Sequence, residues 1–241
     1  MLHTPGEIAE NYVSIGKKKA EMRADKMFLL AVMAGIYIAL AGCGASAAAC
    51  TIGGSAGKLI GACVFPAGLT LVLLAGSELF TGNCLLVIPA LEREISPGAM
   101  LRNWLIVYLG NFAGSVLIAW MAVYSHQLSL FDGQLAAAAV NTAVAKVSMP
   151  FGDAFLKGIC CNVLVCLAVW VSFAAKDVTG KIAALFYPIV VFVVCGFEHS
   201  VANMFYCPAG LFAAGLPEYA KAITTDTSVL TWGNFLFRNL L

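Results

Sequence analysis

Gly76-Ser77-Glu78-Leu79-Phe80-Thr81-Gly82-Asn83 and Gly196-Phe197-Glu198-His199-Ser200-Val201-Ala202-Asn203 share one pattern, G-x-E-x-x-x-x-N, and Glu198 follows Glu78 by 120 positions in a chain of 241. The displacement is half the chain, so the pattern marks an internal repeat. Both copies interrupt long apolar stretches, and Glu78, Glu198 and His199 are the acid or imidazole groups placed there. Such groups are costly in hydrocarbon and are functional candidates by default.

Outward from the motifs, 61% of the residues are hydrophobic and 11% are charged, against roughly 25% charged in soluble domains. No water-facing surface can be made from so little charge. Residues 27–57, 59–77, 103–131, 158–175 and 182–197 contain no Asp, Glu, Lys or Arg, and a bilayer crossing needs about 20 such residues. The expected fold is an all-α integral membrane protein with helices near 27–50, 58–91, 101–127, 152–175 and 182–214. The second and fifth are too long for simple spans and are interrupted at the repeated motif. Residues 231–241 read as the start of a sixth span that this sequence does not include.

If the first span begins on the cytoplasmic side, the inside loops receive Lys17, Lys18, Lys19, Arg23, Lys26, Arg93, Arg102, Lys176 and Lys181, and the outside loops Lys58, Lys146, Lys157 and Lys221. That bias follows the positive-inside rule and puts the N terminus in the cytoplasm of a cell with this protein in its plasma or inner membrane. Residues 1–26 carry too many charges, and no short apolar core, for a cleavable signal. Ile8, Tyr12 and Ile15 follow i, i+4, i+7 spacing with cations toward the C-terminal end, the pattern of an amphipathic helix lying along lipid headgroups. A solvated tail is the plainer alternative. Residues 27–241 then form the membrane domain, with a first repeat of about 27–130 and an incomplete second repeat of about 147–241.

The nine cysteines lie almost entirely in apolar stretches and include no C-x-x-C pair; the vicinal Cys160-Cys161 makes no framework for disulfides or zinc. No metal or cofactor is expected, and the net charge of +1 comes with no basic and aromatic pattern for nucleic acid.

Three spans per repeat is an odd number, so the second half must run inverted to the first, an arrangement of transporters and channels with helices broken near the midplane. The Gly of each motif is where a helix can break. Glu78 and Glu198, with Asn83 and Asn203, read as clamps on backbone N–H groups freed by those breaks; a proton relay is the other reading. His199 has no counterpart in the first copy, where Leu79 stands. It is the side chain at that depth able to change protonation between pH 5 and 8, which points to function.

The stretch Leu74-Ala75-Gly76-Ser77-Glu78-Leu79-Phe80-Thr81-Gly82-Asn83 resembles one signature of the formate-nitrite transporter family, and Gly196 to Met204 resembles its second. The likeness continues through Asn111 in Tyr108-Leu109-Gly110-Asn111, Lys146, and Cys161-Asn162 to Trp170, and covers essentially the whole chain. The resemblance implies an aquaporin-like pentamer with one pore per subunit and broken second and fifth helices. Its members pass formate, nitrite or hydrosulfide. By motif position, Thr81 faces His199, Asn162 lines the pore beside them, Leu69, Leu79 and Phe80 make one apolar constriction, and Phe65 and Phe192 the other. Lys146 would be a vestibule charge that draws anions in.

A bare anion cannot cheaply cross a dry ring of Leu and Phe unless fixed dipoles replace its water. It is either held by the His199 ring, Thr81, Asn162 and backbone N–H groups, or protonated and passed as the neutral acid. The wording Gly76 to Gly82 is closer to the nitrite and hydrosulfide branch than to the formate branch, and hydrosulfide is the expected substrate. A membrane enzyme using Cys and His chemistry would need a nucleophile and base together, and neither Cys195 nor Cys207 makes a known spacing with His199.

Overall fold

The computed structural model describes residues 2–240 and is helical, without strands among the described residues. Helix α1 (Pro5–Ala20) opens with a reciprocal cap: the Glu7 N–H donates to Thr4 Oγ1 at 3.4 Å and the Thr4 N–H to Glu7 Oε2 at 2.6 Å. It ends on Lys17, Lys18 and Lys19, which complement the negative end of the helix dipole. Then come α2 (Ala24–Ala49), α3 (Gly54–Val64) and α4 (Pro66–Ala75), the last two forming one apolar helix of 22 residues whose hydrogen-bond ladder is interrupted at Phe65, before Pro66, which lacks an N–H. The chain continues through α5 (Phe80–Asn83), α6 (Val87–Leu91), α7 (Pro97–Tyr124), α8 (Gln134–Val147), α9 (Phe151–Ser172), α10 (Val178–Cys195) and α11 (Ser200–Ala214). A last turn, α12 (Trp232–Phe235), is capped by Thr231 and continues helically to Leu240.

Among the described residues five helices are long and apolar enough to cross a membrane: α2, α3 with α4, α7, α9 and α10. The second and fifth spans break at the two motifs, as their length required. The protein is a multi-pass membrane protein. Its tightest seam joins α2 to α7, where a Cβ on Gly35 would collide with the Asn111 carbonyl and one on Gly114 with that of Val32. Small residues of this kind let membrane helices approach closely.

Two elements differ from expectation. The apolar face of α1 is applied to the protein: Ile8, Tyr12, Gly16 and Ala20 are buried, and a Cβ on Gly16 would press on Pro89 of α6. Helix α8 fills what the sequence left as a connection, burying Leu135, Ala136, Val140, Ala143 and Val147, with Ala143 against Gly210 of α11. At 14 residues it is too short to span, and its run of four alanines, Ala136 to Ala139, blurs the apolar pattern.

These two helices complete the repeat. Each half opens with a short helix ending near a lysine, Lys19 in α1 and Lys146 in α8. Each long helix then stops at a left-handed glycine, Gly76 at φ 78° and Gly196 at φ 70°, and restarts after one extended residue, Leu79 (φ −107°, ψ 125°) or His199 (φ −110°, ψ 108°). The His3 N–H donates to the Ala174 carbonyl at 2.9 Å, so the start of α1 meets the far end of α9, a contact that agrees with an inverted second half.

Candidate functional site

Each break is held by a lysine, a glutamate and two asparagines. At the α1 end, Lys19 Nζ donates to Glu78 Oε1 at 2.7 Å and to Asn83 Oδ1 at 3.0 Å. Asn83 Nδ2 donates to Glu78 Oε2 at 2.7 Å and to Asn103 Oδ1 at 2.9 Å, and Asn103 Nδ2 returns to the Lys19 carbonyl at 3.3 Å. At the α8 end, Lys146 Nζ and Asn203 Nδ2 each donate to Glu198 Oε2 at 2.8 Å, and Asn239 Nδ2 donates to the Lys146 carbonyl at 3.3 Å.

Two expectations need correction. Lys146 is no free vestibule charge: it is paired with Glu198, at side-chain exposures of 15% and 11%, because α8 folds back onto α11. Nor do the glutamates receive backbone N–H groups. In the first copy that work falls to Asn111 on α7, whose Oδ1 accepts from the Phe80 N–H at 2.9 Å while its Nδ2 donates to the carbonyls of Ala31 (2.8 Å) and Glu78 (2.9 Å). Lys19, Asn103 and Asn239 escaped the sequence reading. A signal for two of them exists in the pairs Arg102-Asn103 and Arg238-Asn239, a third element of the repeat.

Between the clamps lies the residue without a counterpart. His199 caps α11, its Nδ1 accepting from the Ala202 N–H at 3.0 Å. An accepting Nδ1 carries no proton, so in the neutral ring the proton sits on Nε2, which faces Thr81 Oγ1 at 3.2 Å. The first copy supplies the hydroxyl and the second the ring N–H. Phe192 stacks on the His199 ring, with centroids 5.7 Å apart, and Phe65 meets Phe192 edge-on at 5.7 Å. One turn along from Phe65, Leu69 joins Leu79, Val72 and Tyr12 around a cavity of about 40 Å³ on the α1 side. All of Phe65, Leu69, Leu79, Phe192, Thr81 and His199 are buried.

Asn162 lines a larger cavity of about 580 Å³ together with Thr81, His199, Cys84, Cys161 and Cys166. Its Oδ1 has no hydrogen-bond partner. Phe80 departs from the expected ring with Leu69 and Leu79: it also faces the larger cavity, and its ring packs edge-on against Tyr108 at 4.9 Å and Trp104 at 6.4 Å. Among the described residues no three His, Cys, Asp or Glu side chains are placed to hold a metal ion.

The family model described as Formate/nitrite transporter matches residues 6–241. An uncharacterized transporter, YrhG of Bacillus subtilis (strain 168), is 40% identical over 240 residues, covering 96% of this chain and 83% of the relative. The formate channel FocA of Haemophilus influenzae is 36% identical, covering 99% and 87%. A solved pentameric formate channel with formate bound superposes with a TM-score of 0.79 at 36% identity, covering 92% of this chain and 89% of that one. The pairing of two broken helices, the repeated motifs within them and these likenesses agree. The chain belongs to the formate/nitrite transporter family of membrane channels, which are not enzymes.

Proposed function

We propose that this channel conducts formate, as a homopentamer with a pore in each subunit, seated in the plasma or inner membrane with its N terminus in the cytoplasm. The observation that carries an anion path is the neutralisation of both membrane-depth carboxylates. Glu78 and Glu198 are each held by a lysine at 2.7 and 2.8 Å, so they lay no uncompensated negative charge along the path. The groups facing one another at the centre are the His199 Nε2 and the Thr81 hydroxyl. An anion stripped of water between the Phe65 and Phe192 layer and the Leu69 and Leu79 layer meets donors there, which replace part of its hydration. The positive end of α11, which begins at Ser200, adds to that field.

We favour formate over the hydrosulfide expected from the wording of the first motif, because several relatives at 34–36% identity are named formate channels. Nitrite and hydrosulfide share the charge and size of formate and compete at such a site. The test is uptake of each anion into liposomes containing the purified protein. Formate should pass faster than nitrite or hydrosulfide, and a protein that passes either of them while excluding formate would overturn the assignment.

A further inference from the structure

With Lys146 neutralised by Glu198, the mouth at the α8 end needs another cation if charge is to gather anions there. Lys58 on α3 meets the requirement. It is exposed and takes part in no ion pair among the described residues, whereas Lys19 and Lys146 are both paired. An ideal Cβ placed on Gly196 would lie 3.0 Å from the Lys58 ammonium and 3.9 Å from its Cε.

Register explains the meeting. Lys58 precedes Phe65 by seven residues, two helical turns, and so shares its face of the helix; Gly196 follows Phe192 by four and shares its face of α10. Phe65 and Phe192 touch at 5.7 Å. The same two faces therefore bring Lys58 and Gly196 together farther along, on the side away from the Leu69 layer. At a rise of about 1.5 Å per residue, Gly196 stands roughly 6 Å beyond Phe192. The glycine is needed for φ +70°, and its missing side chain also lets the ammonium lie close over the backbone. Its counterpart Gly76 has nothing within 4 Å of the same position, so no ammonium sits over the first break in this way.

We infer that Lys58 is the charge that concentrates the anion at the α8-end mouth, directly above the Phe65 and Phe192 constriction. This rests on the proposed anion conduction. A cation within a Debye length of the path raises local anion concentration, and that length falls from about 30 Å at 0.01 M salt to about 8 Å at 0.15 M. The competing role is structural, a lysine holding the negative end of α10.

The experiment measures formate flux into liposomes at both salt concentrations for the wild type, Lys58→Gln and Lys58→Arg, with assembly followed by gel filtration. Lys58→Gln should lower flux about three- to tenfold at low salt and less than about twofold at high salt, while Lys58→Arg keeps the wild-type values. A loss equal at both salts, or no loss at all, overturns the inference. Wild-type flux indifferent to ionic strength overturns it even if the glutamine variant does not assemble. Absence of wild-type formate flux at any salt would instead remove the formate reading on which it rests.

Discussion

The clamp at the α1 end and the clamp at the α8 end use the same set of one lysine, one glutamate and two asparagines, yet the first closes on itself and the second does not. Lys19 reaches two acceptors, and Asn83 and Asn103 use both ends of their amides, so every member is tied to another. At the other end the Oδ1 atoms of Asn203 and Asn239 are buried without partners, and Lys146 supplements its single carboxylate contact by lying 5.6 Å from the centre of the Tyr206 ring. A closed network in a low-dielectric setting holds one geometry firmly, and a partly used one has polar capacity left over. The central donors straddle that difference, Thr81 springing from the firm side and His199 from the looser one.

The largest effect expected is on the carboxylates. Removing one partner of a buried ion pair costs about 3–5 kcal/mol, because a charge is stranded. Glu78→Gln should fall in that range, since among the described residues Lys19, unlike Lys146, makes no cation–π contact. Glu198→Gln should cost about 1–2 kcal/mol less, because Lys146 keeps Tyr206, a contact of about that worth when desolvated. Unfolding of the two variants in detergent measures both, and equal losses would dissolve the contrast between the ends.

Next comes the capping of the two breaks. Asn111→Ala strips three hydrogen bonds, two of them buried, from around the first break and should cost about 2–3 kcal/mol. The second break is capped by its own His199, so His199→Ala should cost about 1 kcal/mol, the usual worth of a lost N-cap. Thermal unfolding would separate them, and a larger loss for His199→Ala would mean the ring holds more than α11.

The glycines should behave alike in stability and differently in transport. Alanine in the left-handed region costs roughly 1–2 kcal/mol at either site. At Gly196 the added methyl also meets the end of Lys58, so Gly196→Ala should reduce low-salt formate flux more than Gly76→Ala does. Last comes the hydroxyl at the centre. Thr81→Val removes one hydrogen bond, worth about 1 kcal/mol, and should slow flux roughly fivefold while Thr81→Ser stays near the wild type. Similar flux from Val and Ser would assign Thr81 to packing.

Much of this architecture was legible before any coordinates. Five charge-free stretches located the spans, the excess length of two of them required breaks, and the repeated G-x-E-x-x-x-x-N located the breaks to within a residue or two. Periodicity revealed the helix of α1 through Ile8 and Tyr12 but not what it covers. Helix α8 is harder to read, because the run Ala136 to Ala139 places no polar residue between Leu135 and Val140.

The sequence by itself determined that the chain is a membrane protein, that it is an inverted repeat and that Glu78, Glu198 and His199 sit where charge is costly. Those conclusions follow from composition and spacing, which are properties of the chain read in order. Tertiary structure alone decided which charges cancel. Lys19 lies 59 positions from Glu78 and Lys146 lies 52 from Glu198, separations at which nothing local selects a partner. Only folding short helices onto the breaks brings each ammonium within 3 Å of its carboxylate, which pairs Lys146 and leaves Lys58 as the unpaired cation beside Gly196.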